Sequence, residues 1–407
     1  MKKIVGTIAA IALATSAVFA DVNVGSWGRA IWDPVKSDYN ATKDENEMHS
    51  WEGVSWGGDT ARVGISVHGE SENVGFNIDM NADGFEKVGI GDTAYFWAKP
   101  FDFLELKIGK VQDDTGRGNL GYGIFNWVRS GFGWTGEDVT FVRFGNGSGG
   151  QAKGAIVKVT PIENLWIIAA FDVQDNKDFA NTYGNHSQYG AGYTIENVGM
   201  IRAQFIGAEN MIDIKDGKQV SGGKFNVAFD LTSVENLYLT AGVFIPMSFN
   251  SVSKDADLTD PDASKWGLGG LITAAVGANY TFGSTTLHAL IKADLPKTYK
   301  LEVAGTSIDV KKNLKLGVGV GADVDLGNGL GLQADVRYQT ADKFSVGSAD
   351  AEANNYTLDF LVGLQKGLSN GYVGIGFQGA VAGGLDATGD KVSHFSWQLP
   401  VVISAWF

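Results

Sequence analysis

Residues 394–407 read H-F-S-W-Q-L-P-V-V-I-S-A-W-F, and every second residue from Phe395 to Phe407 is apolar. The intervening positions include His394, Ser396 and Gln398. Side chains of a β-strand alternate between two faces, so this stretch predicts a strand with one apolar face and one mostly polar face. The last residue of the chain, Phe407, belongs to the apolar face.

This pattern resembles the closing strand of bacterial outer-membrane β-barrels, which ends in an aromatic residue that the barrel assembly machinery recognises. In that family an aromatic residue is usual two positions before the end, where this chain has Ala405. The resemblance implies a transmembrane antiparallel β-barrel in contact with outer-membrane lipid. It also implies that Phe407 serves as the assembly signal.

The amino terminus indicates the same compartment. Lys2 and Lys3 precede an apolar run of about sixteen residues, which is shorter than the ~20 residues of a spanning helix. Val18, Phe19 and Ala20 then supply small residues where a signal peptidase cleaves. We therefore predict a signal peptide over residues 1–20, cleavage after Ala20, Sec-dependent export and a single barrel domain over residues 21–407.

Composition excludes several classes of protein. The chain is 44% hydrophobic and has no second run long enough for a membrane helix, so a helical membrane protein is excluded. It contains 56 Gly, 23 Phe, 12 Tyr and 11 Trp, which favours many strands, tight turns and aromatic belts. The absence of Cys excludes thiolate chemistry and disulfides, and a net charge of −14 argues against nucleic acid as a partner.

Short alternating segments recur along the chain, and we predict about eighteen strands, with sixteen as the alternative. The predicted strands are residues 21–32, 60–70, 73–81, 90–99, 102–111, 151–160, 164–173, 187–196, 198–207, 221–231, 236–245, 266–281, 284–294, 314–326, 329–340, 355–366, 371–383 and 394–407. Their connections alternate between short turns and long polar loops. This rhythm is typical of outer-membrane barrels, whose short turns are periplasmic and whose long loops are extracellular.

Residues 112–150 interrupt the rhythm and form a long third loop. A long third loop folded into the lumen is similar to that of bacterial trimeric porins, both general porins and maltoporin-like channels, and the resemblance implies a homotrimer. The loop lacks the Pro-Glu-Phe-Gly-Gly signature of general porins, so the subfamily stays open.

Charged residues of this loop are candidates for the pore constriction. They are Asp113, Asp114, Arg117, Arg129, Glu137, Asp138 and Arg143. Basic residues that strand alternation places on the inner wall could face them. They are Arg62, Lys107, Lys158, Arg202, Lys224, Lys292 and Arg337. The alternative is that the loop's charges are solvated at the surface.

The function predicted from these features is a passive channel for small hydrophilic solutes and ions with a weak cation preference, motivated by the acidic excess. A sugar-selective channel is an alternative, because Trp127 and Trp134 lie in the third loop. A surface adhesin or structural barrel with ligand-binding loops is another. No histidine pair has zinc-ligand spacing and no nucleophile is marked, so we expect neither an enzyme, a metal site nor a cofactor.

Overall fold

The computed structural model describes residues 21–40, 43, 45–53, 61–83, 87–116, 143–145, 153–172, 187–212, 219–248, 272–303, 306–354, 356–385 and 391–407. The predicted signal peptide and the centre of the third loop lie outside these ranges. No helix in the described part of the chain is long and apolar enough to cross a membrane.

The described residues form twenty-four β-strands. They are β1 (Asp21–Asn40), β2 (Glu45–Gly53), β3 (Arg62–Glu70), β4 (Val74–Asp83), β5 (Lys87–Phe101), β6 (Leu104–Lys110), β7 (Lys153–Ile162), β8 (Leu165–Asp172), β9 (Ser187–Ile195), β10 (Gly199–Ile212), β11 (Gln219–Leu231), β12 (Leu237–Ser248), β13 (Thr273–Phe282), β14 (Thr285–Asp294), β15 (Lys297–Val303), β16 (Thr306–Lys312), β17 (Lys315–Gly327), β18 (Leu330–Gln339), β19 (Asp342–Val346), β20 (Ala349–Asn354), β21 (Tyr356–Leu368), β22 (Gly371–Leu385), β23 (Lys391–Gln398) and β24 (Val401–Trp406).

Eighteen of these strands, with β23 and β24 taken as one, close into an antiparallel barrel. The wall runs β1, β3 to β14, β17, β18, β21, β22 and β23/β24. Closure occurs at β1, which pairs with β3 from Asp21 to Arg29 and with β24 from Trp27 to Trp32. Because a closed sheet leaves no unpaired edge, the backbone polar groups of the wall are satisfied within it.

Each predicted strand corresponds to one wall strand, which confirms the eighteen-strand interpretation and shows that the sixteen-strand alternative is wrong. The closing strand differs in detail, because it is interrupted at Leu399 and Pro400. A proline has no backbone N–H to donate to the ladder, which accounts for the break. Strict alternation of faces nevertheless continues across it: Trp397 and Ile403 lie on one side, Gln398 and Val402 on the other.

Three segments predicted to be plain loops contain further strands. The loop after residue 33 continues β1 to Asn40 and returns as β2. The loops around residues 295–313 and 341–354 form two hairpins, β15–β16 and β19–β20, which join into a separate four-stranded sheet. The contact that joins them, such as Val310 opposite Val346, is distant in sequence, so the local pattern could not indicate it.

The two faces of the wall differ sharply in chemistry. Large apolar side chains remain exposed on the outer face, including Val63, Ile65, Phe96, Ile108, Ile167, Ile201, Val276, Ile291, Val320, Val336, Val362, Ile375 and Ile403. The alternate positions, on the inner face, carry buried polar side chains, including Asn77, Gln188, Arg202, Asn226, Asp230, Thr240, His288, Gln333, Asp335, Asp359, Gln378 and Ser404. An apolar outside and a polar inside are the pattern of a membrane-spanning barrel.

The short-turn end of the barrel has its own signature. Several turns contain an asparagine in the left-handed conformation, with φ of 66° at Asn164, 57° at Asn197, 63° at Asn236 and 55° at Asn328. Exposed aromatic side chains lie on or beside these turns: Phe101, Phe103, Tyr193, Tyr280 and Phe282. Such a belt of aromatic rings is typical of the level at which a barrel meets the membrane–water interface.

Candidate functional site

The inner face of β6 and β7 holds two lysines that bind the start of the third loop. Lys107 Nζ donates to Asp113 Oδ2 at 2.7 Å, and Lys158 Nζ donates to Thr115 Oγ1 at 2.7 Å. An extended chain would carry Asp113 about 20 Å beyond Lys107. The chain must therefore turn back after β6 and run down the inside of the wall, because Lys158 lies two residue pairs nearer the short turn than Lys107.

The other end of the loop is fixed beside it by an apolar contact. Phe144 is only 1% exposed and packs edge-to-face on Trp166, with ring centroids 6.0 Å apart. Together they form a buried cluster with Val111, Ile156, Ile168 and Ala170. Asp113 and Phe144 exchange two backbone hydrogen bonds of 2.9 Å, so the two loop ends lie side by side on the inner wall.

Two glycines make this close approach feasible. A Cβ added to Gly190 on β9 would lie 2.4 Å from the Phe144 ring. Gly145 has a φ of +82°, and a Cβ there would lie 2.5 Å from the carbonyl oxygen of Val111. The Gly145 amide donates to Gln188 Oε1 at 3.2 Å, which ties this end of the loop to β9. We call residues 111–116 and 143–145 together with this patch of wall the third-loop anchor.

Asp113 carries the charge of the third-loop anchor. Burial acts to raise the pKa of this carboxyl, but the charge of Lys107 and hydrogen bonds from Lys107 and Thr115 outweigh it. The pKa of Asp113 therefore lies below the ordinary aspartate value. Lys107 also contacts Glu105 at 3.3 Å and lies 5.6 Å from the centre of the Tyr95 ring. The charge of this lysine is thus compensated on several sides.

The remaining candidates in the loop divide into two groups. Arg143 Nε donates to Asp114 Oδ1 at 2.6 Å, an ion pair in which the Asp114 side chain is 48% exposed. Arg117, Arg129, Glu137 and Asp138 lie outside the described residues. The described loop carboxylates, Asp113 and Asp114, thus each have a cationic partner.

The other basic candidates on the wall occupy separate places. Arg202 on β10 donates to Asp230 on β11, whose second oxygen accepts from Thr240 at 2.6 Å. Arg62 stands opposite Arg29 across β3 and β1, and Lys292 lies on β14. The Lys224 backbone belongs to β11, but the place of its side chain is outside what is described. The predicted basic residues therefore do not form one cluster.

The opposite side of the lumen is acidic. Asp323, Asp335 and Asp359 lie on the inner faces of β17, β18 and β21, three neighbouring wall strands, and we call them the acidic row. Because β17 is the ninth wall strand after β6 in a barrel of eighteen, the acidic row faces the third-loop anchor across the lumen. His288 on β14 contacts Asp323 Oδ2 at 2.8 Å and Asn279 Oδ1 at 2.9 Å.

Cationic side chains pair with only some of the carboxylate oxygens of the acidic row. Arg337 Nε donates to Asp335 Oδ1 at 2.7 Å, but Asp335 Oδ2 and both oxygens of Asp359 have no hydrogen-bond partner among the described residues. The neighbouring Gln333 is 1% exposed and neither polar atom of its side chain is paired. No group of three or more His, Cys, Asp or Glu side chains within the described ranges is placed to hold a metal ion.

The acidic row was missed as a site in the sequence, although part of its signal is present there. Alternation places Asp323 and Asp335 on the polar faces of their strands with Arg337, and it does the same for Asp359. What local alternation does not give is the register between β18 and β21, which sets Asp359 opposite Arg337. The grouping depends on pairing between strands.

The end of the chain is held at the seam of the barrel. The Phe407 amide donates to the Ser26 carbonyl at 2.7 Å, and the Ser26 amide donates to the Phe407 carbonyl at 2.8 Å. The Phe407 side chain is 75% exposed. The residue predicted as the assembly signal is therefore accessible on the finished barrel.

Comparisons with solved structures match the whole described architecture. OccK9 (OpdG) of Pseudomonas aeruginosa matches with a TM-score of 0.53 at 11% identity, covering 95% of this chain and 98% of that chain. The outer membrane channel DcaP of Acinetobacter baumannii matches with a TM-score of 0.52 at 11% identity, covering 96% and 98%. The chain has the fold of a bacterial outer-membrane channel.

This fold is that of a multi-pass protein of the outer membrane. An anion-selective porin from Comamonas acidovorans aligns at 13% identity over 95% of this chain and all of that one, with a lower TM-score of 0.48. No family model matches the sequence, and no curated protein matches it. At such low identities the likeness concerns the fold, and the chemistry of the lumen must be argued from this chain's own residues.

Proposed function

We propose that this protein is a passive diffusion channel for small hydrophilic solutes and ions. The observation that carries the proposal is the closed eighteen-strand barrel with an apolar outer face and a polar inner face. A barrel of this size leaves a lumen that wall side chains alone do not fill. The ends of the third loop lie inside that lumen, which supports a constriction built on residues 112–150.

The charges of the lumen support a weak preference for cations. On the anchor side, Asp113 and Asp114 are paired with Lys107 and Arg143. On the opposite wall, the acidic row has more carboxylates than Arg337 can compensate. Fixed negative charge that lines a pore raises the local concentration of cations.

The test is reconstitution of the refolded chain, residues 21–407, in planar bilayers. We expect ion conductance and, under a KCl gradient, a reversal potential with the sign of weak cation selectivity. A folded barrel that conducts no current would contradict the channel function and favour a structural or adhesive role. Clear anion selectivity would contradict only the sign of the preference.

Export and assembly belong to the same proposal. We propose cleavage after Ala20, recognition of Phe407 by the barrel assembly machinery, and a homotrimer in the outer membrane. Mass spectrometry of the mature amino terminus and native electrophoresis test the first and last of these. Deleting Phe407 should reduce assembly in cells far more than refolding in detergent, because it removes the exposed ring and the two terminal backbone hydrogen bonds but leaves the pairing of β24 with Trp27 to Trp32 in place.

A further inference from the structure

The acidic row leaves several hydrogen-bond acceptors on the inner wall without donors. Within the part of the chain that the structure describes, Asp335 Oδ2, both oxygens of Asp359 and the side-chain oxygen of Gln333 are buried and unpaired. Asp359 is 6% exposed and Gln333 is 1% exposed. Asp359 lies two residues along β21 from Leu361, the partner of Asp335, so the Asp335 and Asp359 oxygens are close neighbours, whereas Gln333 lies further along the wall. Buried polar groups in folded proteins nearly always have hydrogen-bond partners, and neighbouring unpaired acceptors indicate a site for a donor.

The charges of the row decide what kind of donor suits it. Arg337 donates its Nε to Asp335 Oδ1, and His288 contacts Asp323. Asp359 has Arg337 and Asp335 as its charged neighbours but no ion pair with either. Carboxylates outnumber the cations around them, so the complementary ligand is positively charged.

The geometry favours an organic cation over a metal ion. Neighbouring strands lie about 4.8 Å apart and alternate residues of one strand about 6.7 Å apart, so acceptors in the row are spread across a surface. The row lies outside any group placed to hold a metal ion, as far as the described residues show. A planar guanidinium offers N–H donors on three nitrogens over such a spread, and a primary ammonium group offers three donors from one nitrogen.

The residues of the acidic row differ in their exposure to solvent. The Asp323 side chain is 21% exposed, compared with 8% for Asp335. The cationic group of a solute can therefore contact Asp323 before it contacts the more deeply buried acceptors. The exposed side of the acidic row is therefore its Asp323 end.

We propose that the acidic row, with Gln333, is a recognition site for solutes that carry a guanidinium or primary ammonium group. The site rests on the proposed channel function and names the solute class that the channel favours. It lies on the wall and is distinct from the third-loop anchor.

The first test is selective permeation in planar bilayers, with methylguanidinium and tetramethylammonium chlorides as probes. Both are monovalent cations, but only methylguanidinium has N–H donors. We expect the wild-type channel to prefer methylguanidinium, and the double variant Asp335→Asn with Asp359→Asn to lower the permeability ratio about tenfold. Asp309→Asn removes one carboxylate at an exposed residue of β16; it matches the charge change of Asp359→Asn alone and is the control that should leave the ratio unchanged.

The outcomes separate this site from the channel function. A conducting wild type with no preference for methylguanidinium, or an equal loss in Asp309→Asn, overturns the site but not the channel. If Mg²⁺ competes with the permeating cation more strongly than methylguanidinium does, the proposed class of ligand is wrong. Asp359→Asn alone serves if the double variant does not assemble, because the Asp359 carboxylate has no partner to lose.

The second test does not need an open pore. Thermal unfolding of the refolded protein in detergent is measured with each probe at equal, low millimolar concentration. A ligand that binds only the folded state raises its melting temperature. We expect methylguanidinium to stabilise the wild type but not the Asp359→Asn variant, whereas equal effects of both salts would contradict the site even if no current is observed.

Discussion

The two sides of the lumen use charge in opposite ways. On the anchor side, Lys107 and Lys158 bind Asp113 and Thr115 of the third loop. On the opposite side, the oxygens of Asp359 have no hydrogen-bond partner in the described ranges. The comparison teaches that lysines on the inner wall need not act on solutes. Here they hold a loop in place, and the proposed site for solutes lies on the other wall.

The largest effect should follow from removing the loop that the anchor holds. Deleting residues 115–147 is expected to raise single-channel conductance roughly twofold or more and to flatten ion selectivity, since the anchored segment lies inside the lumen. Heat-modifiable migration on gels would verify that the barrel still assembles. An assembled deletion variant with unchanged conductance would show that the loop does not narrow the pore.

Breaking the buried ion pair tests the charge of the anchor. Lys107→Met leaves the Asp113 carboxylate, 4% exposed, without its partner. We expect the anchored state to lose about 3 kcal/mol or somewhat more, since an unpaired buried charge is costly. Thermal unfolding in detergent measures this loss of stability, and the frequency of current closures measures how often the anchored state is lost in an open channel. The control Lys107→Met with Asp113→Asn removes both charges and should recover most of the loss, whereas equal destabilisation by both variants would contradict the assignment.

The frequency of current closures should change with pH in opposite directions in the wild type and in Lys107→Met. In the wild type the folded pKa of Asp113 lies below the ordinary value of 3.8, so the ion pair stabilises the anchor above that value and fails only as pH falls through the lower one. In Lys107→Met, burial dominates and protonation relieves the unpaired charge. The frequency of current closures, measured from about pH 7 down to about pH 2, should therefore increase at the acid end for the wild type and decrease for the variant. Parallel curves would contradict this.

The apolar half of the anchor is tested at Gly190. Gly190→Val places a side chain where the Phe144 ring lies, and we expect destabilisation of about 1–3 kcal/mol with more frequent current closures. Gly89→Val is the matched control, because an added Cβ at Gly89 has no atom within 4 Å. Similar behaviour of the two variants would indicate that the loop end does not depend on this contact.

The smallest effect is expected at the exposed pair. Arg143→Gln removes the partner of Asp114, whose side chain is 48% exposed. Exposed ion pairs contribute about 0–1 kcal/mol, so thermal stability should hardly change. A loss as large as that of Lys107→Met would mean that exposure does not rank the two ion pairs of the anchor.

The sequence alone determined the barrel. Alternation along segments such as residues 314–326 and 394–407, with short and long connections in turn, specified wall strands and their faces because side-chain direction in a strand is a local property. The same alternation put Lys107, Lys158 and Arg337 on the inner wall. It could not show that β16 would pair with β19, because that contact joins two separate loops.

Tertiary structure decided how the lumen's side chains are used. The return of the chain after β6 brought Asp113 to Lys107 and Phe144 to Gly190, contacts that residue spacing does not encode. The register of β17, β18 and β21 assembled the acidic row, and the pairing of β18 with β21 passes over the intervening strands β19 and β20. Strand faces follow from local stereochemistry, whereas the pairing of charges depends on which strands become neighbours when the barrel closes.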